Sequence, residues 1–236
     1  MENKKLSIIL PVYNEEQNIE EVIDDICSNL SLPTDDFEII VVNDGSDDGT
    51  AAILEKISLG KPYIKVITHH KNLGYGIALM SGVGKSRYSL VFFMDADGQF
   101  NIRELEKAFC YLEKFDAVIG YRVKRADPFY RTILAIGYSC LVFLFFGLRF
   151  RDVNCGFKLF KKNVLEEKNN STAGVFYTEV LLKAKNRGFK IKEIPVTHYP
   201  RLRGRQTGGA PGVIFGAIKD LLRLKRALMR EKAKNS

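Results

Sequence analysis

The feature that most limits what this chain can fold into is an alternation. Short apolar runs, each closed by a polar cluster, are separated by stretches with helical spacing. Leu6 to Val12 is the first run, and Glu15 to Leu30 follows with Ile19, Val22, Ile23 and Ile26 on one helical face. Phe37 to Val42 with Asp47 to Ile57, and Tyr63 to Thr68 with Gly74 to Val83, repeat the pair. Tyr88 to Met94 is a fourth strand, followed by a helix from about Ile102 to Leu112. Strands that are apolar throughout and alternate with helices belong to a mostly parallel sheet covered on both faces. The expected fold class is α/β: a Rossmann-like, doubly wound three-layer sandwich.

The second half is less regular. It reads as a strand near Phe115 to Gly120, a possible strand over Cys155 to Phe160, a helix over Val175 to Lys185, and a strand over Ile191 to His198 broken by Pro195. Ile133 to Leu148 is almost wholly apolar and bracketed by Arg131 and Arg149. A membrane-spanning helix needs roughly 20 such residues, so a buried or interfacial helix is expected instead. After Tyr199 the chain turns basic and Gly-rich, with Arg201, Arg203, Arg205, Gly208 and Gly209. The last segment is an amphipathic helix, with Ile214, Ala217, Leu221, Leu224 and Leu228 on its apolar side. The expected organisation is one domain over residues 1–206, with an apolar segment at 131–149, and a basic helix over 207–236.

Composition narrows the partners. The formal net charge is +8, which suits an anionic partner such as a phosphorylated ligand, an anionic lipid or a nucleic acid. Nothing aromatic is interleaved with the basic tail as a nucleic-acid stacking platform requires, so nucleic acid is not the expected partner. Cys27, Cys110, Cys140 and Cys155 form no Cys-x-x-Cys pair, and His69, His70 and His198 have no His-x-x-x-His spacing. Both arguments exclude a zinc site. The four thiols are expected to be reduced and mostly buried, in a cytoplasmic protein whose Met1 to Lys5 start lacks the pattern of a signal peptide.

In a sheet of this kind ligands sit at the carboxyl ends of the strands. Those ends carry Pro11-Val12-Tyr13-Asn14-Glu15, Asn43-Asp44-Gly45-Ser46, His69-His70-Lys71-Asn72 and Asp95-Ala96-Asp97. Asp95 and Asp97 lie two apart, so on an extended chain they point the same way. With Gln99 beyond them they can hold Mg2+ or Mn2+, which takes one or two carboxylates and completes its shell with phosphate oxygens. The plainer alternative is a solvated turn capping a helix at Asn101. Asp44 can accept a hydrogen bond from a nucleobase, or can serve a helix-starting turn. Lys71 to Gly76 places glycines at a helix start, where anions are favoured. Arg122, Arg131, Arg201, Arg203 and Arg205 suit bidentate phosphate recognition as a set, and a solvated surface individually.

Taken in order, these segments resemble the family 2 glycosyltransferases with the GT-A fold. The resemblance runs from about residue 6 to 206. Gly120-Tyr121-Arg122 and Asp152-Val153-Asn154-Cys155-Gly156-Phe157-Lys158 point within that family to the dolichyl-phosphate and polyprenyl-phosphate sugar synthases. The resemblance implies that Pro11, Tyr13, Glu15 and Asp44 bind the nucleoside of a UDP- or GDP-sugar. It implies that Asp95, Asp97 and Gln99 hold the metal and the diphosphate, that Arg122 and Arg131 grip the acceptor phosphate, and that Arg201 closes over the donor. It also implies inversion by direct displacement, at the cytoplasmic face of a membrane. Many such enzymes carry transmembrane helices after the catalytic domain, so a separate membrane-embedded partner subunit is a further expectation. A phosphate acceptor needs no general base, being largely dianionic at neutral pH. A hydroxyl acceptor on a glycan or small glycoside needs one, and Asp152 is the candidate. A non-enzymatic membrane or nucleic-acid binding module is the third reading.

Overall fold

A computed structural model of the chain describes residues 5–30, 36–123, 129–166, 175–201, 203–204 and 211–234. Its centre is a seven-stranded sheet. In chain order the strands are β1 (Leu6–Val12), β2 (Phe37–Asn43), β3 (Ile64–Thr68), β4 (Leu90–Phe93), β5 (Ala117–Val123), β6 (Lys158–Lys161) and β7 (Ile191–Thr197). They lie side by side in the order β3-β2-β1-β4-β6-β5-β7. Strand β6 runs antiparallel to both of its neighbours, and every other pairing is parallel.

Helices α1 (Ile19–Asn29), α2 (Thr50–Ser58) and α4 (Leu105–Phe109) cover one face. Helices α3 (Tyr75–Lys85), α5 (Phe129–Phe146), α6 (Phe176–Asn186) and α7 (Pro211–Lys234) cover the other. The alternation of side chains along a strand sorts the two cores. Leu6, Ile8 and Leu10 meet Ile19, Ile23 and Ile26 of α1, whereas Ile9 meets Leu79 of α3. Helix α7 is tied to the second core by Leu221, which is fully buried.

Four sequence expectations are corrected. Pro195 does not break its strand, because β7 is at the edge of the sheet and pairs only with β5, where a missing N–H costs no ladder bond. Strand β5 runs on to Val123, so Arg122 lies within it and pairs with Val196 in register. Of the four cysteines only Cys155 is buried: Cys110 follows the short α4 on its outer side, and Cys140 lies on the outer face of α5. Helix α1 also starts later than its apolar spacing suggests, because Asn14 adopts φ 57° and residues 13 to 18 form a loop.

The end of the sheet away from the polar clusters is pinned by Glu38. Its fully buried carboxylate accepts hydrogen bonds from Ser7 Oγ (2.7 Å), Arg87 N (2.7 Å), Arg87 Nε (3.0 Å) and Lys65 Nζ (2.8 Å). Burial alone raises such a carboxyl; here the hydrogen bonds outweigh it and hold Glu38 below its ordinary range. Its contribution is therefore present above the ordinary carboxylate pKa and lost as pH falls through the depressed value. Glu38→Ala leaves the Ser7 hydroxyl and the Arg87 N–H unmatched. It is expected to lower the unfolding free energy by about 2 kcal/mol in a urea titration at neutral pH, with the gap to wild type narrowing in acid.

Candidate active site

The order β3-β2-β1-β4 places a topological switch between β1 and β4. A crevice opens there, beyond the carboxyl ends of the two strands. The loops around it are laced together by side chains. Asn14 Oδ1 accepts from Asp47 N while Asn14 N donates to Ser46 Oγ, both at 3.0 Å. Glu15 N donates to Thr50 Oγ1 at 3.0 Å, and Gly49 N donates to Glu16 Oε2 at 2.8 Å. Gly45, at φ 69°, lies so close to the Lys71 backbone that any Cβ there would overlap it.

Asp44 closes β2 and is 3% exposed. Its Oδ1 accepts from Leu73 N (2.9 Å) and meets His69 Nδ1 (2.7 Å), and its Oδ2 accepts from Gly74 N (2.8 Å). His69 Nε2 in turn meets Ser81 Oγ at 2.9 Å. Three of about four acceptor positions on the carboxylate are thus spent on holding the β3–α3 loop. Among the described residues one acceptor position remains.

Asp95 and Asp97 follow β4 at the other side of the crevice. Asp95 Oδ1 accepts from Tyr75 Oη at 2.6 Å, and its carboxylate lies flat against Gly156, where a Cβ would overlap it. Burial raises the Asp95 carboxyl above its ordinary range, against the Tyr75 hydrogen bond and the charges of Arg122 and Lys158. Asp97 Oδ1 accepts from Gln99 N at 3.1 Å. Burial, and then the charge of Asp95, push Asp97 up to about 7. Glu15 completes the acidic set and is also raised by burial. Arg201 bridges it: Nη2 donates to both Glu15 oxygens (2.8 and 2.7 Å) and Nη1 lies 3.9 Å from Asp97 Oδ2.

Two carboxylates that resist ionising together are what a divalent cation relieves. Among the described residues no three His, Cys, Asp or Glu side chains come together as a metal cage. A Mg2+ or Mn2+ centre completed by phosphate oxygens needs only one or two carboxylates, and Asp95 with Asp97 fits that need. A cavity of about 480 Å³ runs beside them, lined by Asn18, Asp24, Asp95, Asp97 and Asn101 among others.

Next to the carboxylates lies a second charged pair. Arg122 Nε and Nη2 donate to Asp152 Oδ2 (2.7 Å) and Oδ1 (3.0 Å). Burial works against the Arg122 charge, and the bonds to Asp152 outweigh it. Three of its five N–H groups stay available for an anion. Lys158 is fully buried close by; its Nζ donates to the Cys155 carbonyl and stands 3.9 Å from the centre of the Tyr177 ring. Burial pushes its ammonium down to about 8.

Residues 7–169 match the family described as Glycosyl transferase family 2. The chain belongs to that family. It is 31% identical over 210 residues to a dolichyl-phosphate beta-glucosyltransferase of Trichomonas vaginalis, covering 80% of this chain and 62% of that protein. A Drosophila melanogaster dolichyl-phosphate beta-glucosyltransferase is 31% identical over 215 residues, covering 81% of this chain and 66% of the relative. The chain thus spans about two thirds of the length of these relatives. Among solved structures, glucosyl-3-phosphoglycerate synthase of Mycobacterium tuberculosis superposes with a TM-score of 0.71 at 19% identity, covering 93% of this chain and 79% of that one. That structure holds Mn2+, uridine diphosphate and glucosyl-3-phosphoglycerate. The α/β architecture expected from sequence is the GT-A glycosyltransferase fold.

Within this family 2 domain the fold gathers Glu15, Asp95, Asp97, Gln99 and Arg201 around one crevice. Pro11 is buried in β1, and Tyr13 follows the strand, 42% exposed. Lys71 is exposed at the crevice edge, and Ala96 turns into the α1-side core. Gln99 is buried, and its Nε2 donates to the Tyr199 carbonyl (2.8 Å) while Tyr199 N donates to the Gln99 carbonyl (2.9 Å). These bonds bring His198 and Arg201 to the site. Arg131 lies in α5, but its side chain is outside the described residues, as are Arg205, Gly208 and Gly209. Sequence reading did not single out Tyr75, Tyr177, His69 or Lys158 as site residues. A lysine inside the otherwise apolar run Cys155 to Phe160 was the available signal.

The raised Asp97 carboxyl has a consequence for stability. The folded chain holds a proton there that the unfolded chain releases near pH 4, so the stability Asp97 contributes is lost as pH rises toward about 7. In chelator, the wild-type melting temperature is expected to fall between pH 5 and pH 8 more steeply than that of Asp97→Asn, measured by differential scanning fluorimetry.

Proposed function

We propose that this chain transfers a sugar from a nucleotide-sugar to a polyprenyl phosphate at a membrane surface, with inversion at the anomeric carbon. The observation that carries the reading is the Asp95 and Asp97 pair at the β1–β4 switch point, with the Arg122–Asp152 pair beside it. The names of the relatives, dolichyl-phosphate beta-glucosyltransferases, support the lipid phosphate as acceptor. A solved structure of the same fold with Mn2+ and uridine diphosphate supports a metal-assisted UDP-sugar donor. GDP remains the alternative nucleotide.

In this reading Asp44 accepts one hydrogen bond from the base, and Pro11, Tyr13 and Glu15 line the nucleoside site, with Lys71 at its edge. Asp95 and Asp97 hold the cation, with Gln99 bracing the turn that carries them. A bound Mg2+ or Mn2+ supplies Lewis-acid neutralisation of charge on the departing diphosphate. Arg201 leaves Glu15 and Asp97 to lie over the diphosphate. Arg122 orients the acceptor phosphate through its remaining N–H groups, joined by Arg131. The phosphate oxygen attacks the anomeric carbon from the side opposite the leaving group. Both Asp152 oxygens are occupied by Arg122, which suits a positioning partner better than a general base and favours the phosphate acceptor over a hydroxyl.

Helix α5 supports the membrane location. Among the described residues no helix is long and apolar enough to cross a membrane. Yet α5 exposes Tyr130, Ile133, Ile136, Phe143 and Leu144, the last at 71% exposure. Beside it α7 exposes Lys219, Arg223, Arg226 and Arg230. An apolar stripe edged by cations suits the anionic cytoplasmic leaflet. A membrane-embedded partner subunit would take the same face.

Three measurements test the reading. UDP- and GDP-sugars are assayed for transfer to a polyprenyl phosphate with and without Mn2+. Activity is expected to need the cation and to fall at least about a hundredfold in Asp97→Ala. Asp152→Asn separates acceptors: with a phosphate, KM rises and kcat stays within about tenfold. A kcat loss of about a hundredfold or more with a hydroxyl acceptor marks Asp152 as a base for that acceptor. Leu144→Glu is expected to lower co-sedimentation with vesicles of phosphatidylserine and phosphatidylcholine while donor binding is kept.

A further inference from the structure

Asp95 is held from behind by two phenols. Tyr75, the first residue of α3, reaches its Oδ1 at 2.6 Å. Tyr75 Oη also lies 2.8 Å from Tyr177 Oη on α6, with the two rings edge to face at 69° and 5.8 Å between centres. An ionised carboxylate only accepts, and a phenol has one proton. The Tyr75 proton therefore goes to Asp95, and Tyr177 donates to the Tyr75 oxygen. Tyr177 is fixed in its turn by the Lys158 ammonium over its ring. The Gly156 backbone packs directly against the carboxylate, where a Cβ would overlap both oxygens.

The Tyr75 hydrogen bond and the close Gly156 backbone together set the orientation of the Asp95 carboxylate. Outer hydrogen-bond partners of cation ligands commonly matter ten- to a hundredfold in affinity, since they fix the direction in which the ligand offers its lone pairs. We propose that Tyr75 is a positioning residue for the cation site: its hydroxyl, backed by Tyr177, orients Asp95 so that the Asp95–Asp97 pair is preset for a divalent cation. The inference rests on the reading of those two aspartates as cation ligands.

The test is Mn2+ binding to the full chain, followed by electron paramagnetic resonance in the presence and absence of UDP. Tyr75→Phe is expected to weaken Mn2+ at least about tenfold, and Tyr177→Phe to weaken it less. In turnover, the Mn2+ concentration for half-maximal rate should rise in Tyr75→Phe while kcat at saturating Mn2+ stays within severalfold. Tyr88→Phe is the control. It removes a phenol that bonds Asp36, just before the start of β2 and so at the opposite end of the sheet, and should leave Mn2+ affinity unchanged. A Tyr75→Phe protein with wild-type melting temperature and wild-type Mn2+ affinity overturns the inference. If Tyr75→Phe does not fold, Tyr177→Phe decides, and unchanged affinity there overturns it equally. If the wild type itself binds no Mn2+ with or without UDP, the assignment of Asp95 and Asp97 as ligands fails, and the inference falls with it.

Discussion

The repulsion between Asp95 and Asp97 is the constraint around which the rest of this molecule is organised. Two carboxylates at the end of a buried strand raise each other's cost of ionising, on top of the cost of burial. Each is answered differently. Asp95 is answered from within the protein, by the Tyr75 hydroxyl and the charges of Arg122 and Lys158. Asp97 is answered first by the Gln99 N–H and then, from the mouth of the crevice, by Arg201 at 3.9 Å. One carboxylate is thus compensated from within the fold, and the other partly by Arg201, a group at the mouth of the site.

Compensation explains choices elsewhere in the chain. Asp152 matches the charge of Arg122, which lies with Lys158 beside the buried Asp95. Gly156 is needed because the loop that brings Lys158 toward the site crosses the Asp95 carboxylate at a distance no side chain allows. Strand β6 reverses direction between β4 and β5, and this reversal carries Asp152, Cys155 and Gly156 to the carboxyl end of β4 just before the strand begins. A parallel strand in that slot would enter from the opposite end.

Much of this was legible in the sequence, because it follows from local patterns. The run Leu6 to Val12 coincides with β1, since strands buried on both faces are written as unbroken apolar stretches. The polar strand ends located the crevice for the same reason. What sequence could not show depends on distant pairings. Tyr75 meets Tyr177 across 102 residues and Arg122 meets Asp152 across 30, and no spacing rule marks either pair. Pro195 misled because the order of strands, which makes β7 an edge, is not a local property. Asp44 reads as an open acceptor until the folded loop places Leu73 and Gly74 N–H groups on it.

The Arg201 contact has a consequence for how the chain comes into being. Glu15 and Arg201 are 186 residues apart, so this pair can form only after β7 has been made. Closing so long a loop is also entropically costly, and it is rewarded only once the intervening sheet exists. A nascent chain that has emerged as far as β7 already owns its acidic crevice but has nothing to cover it. The site is therefore built open and covered only once the segment after β7 supplies Arg201.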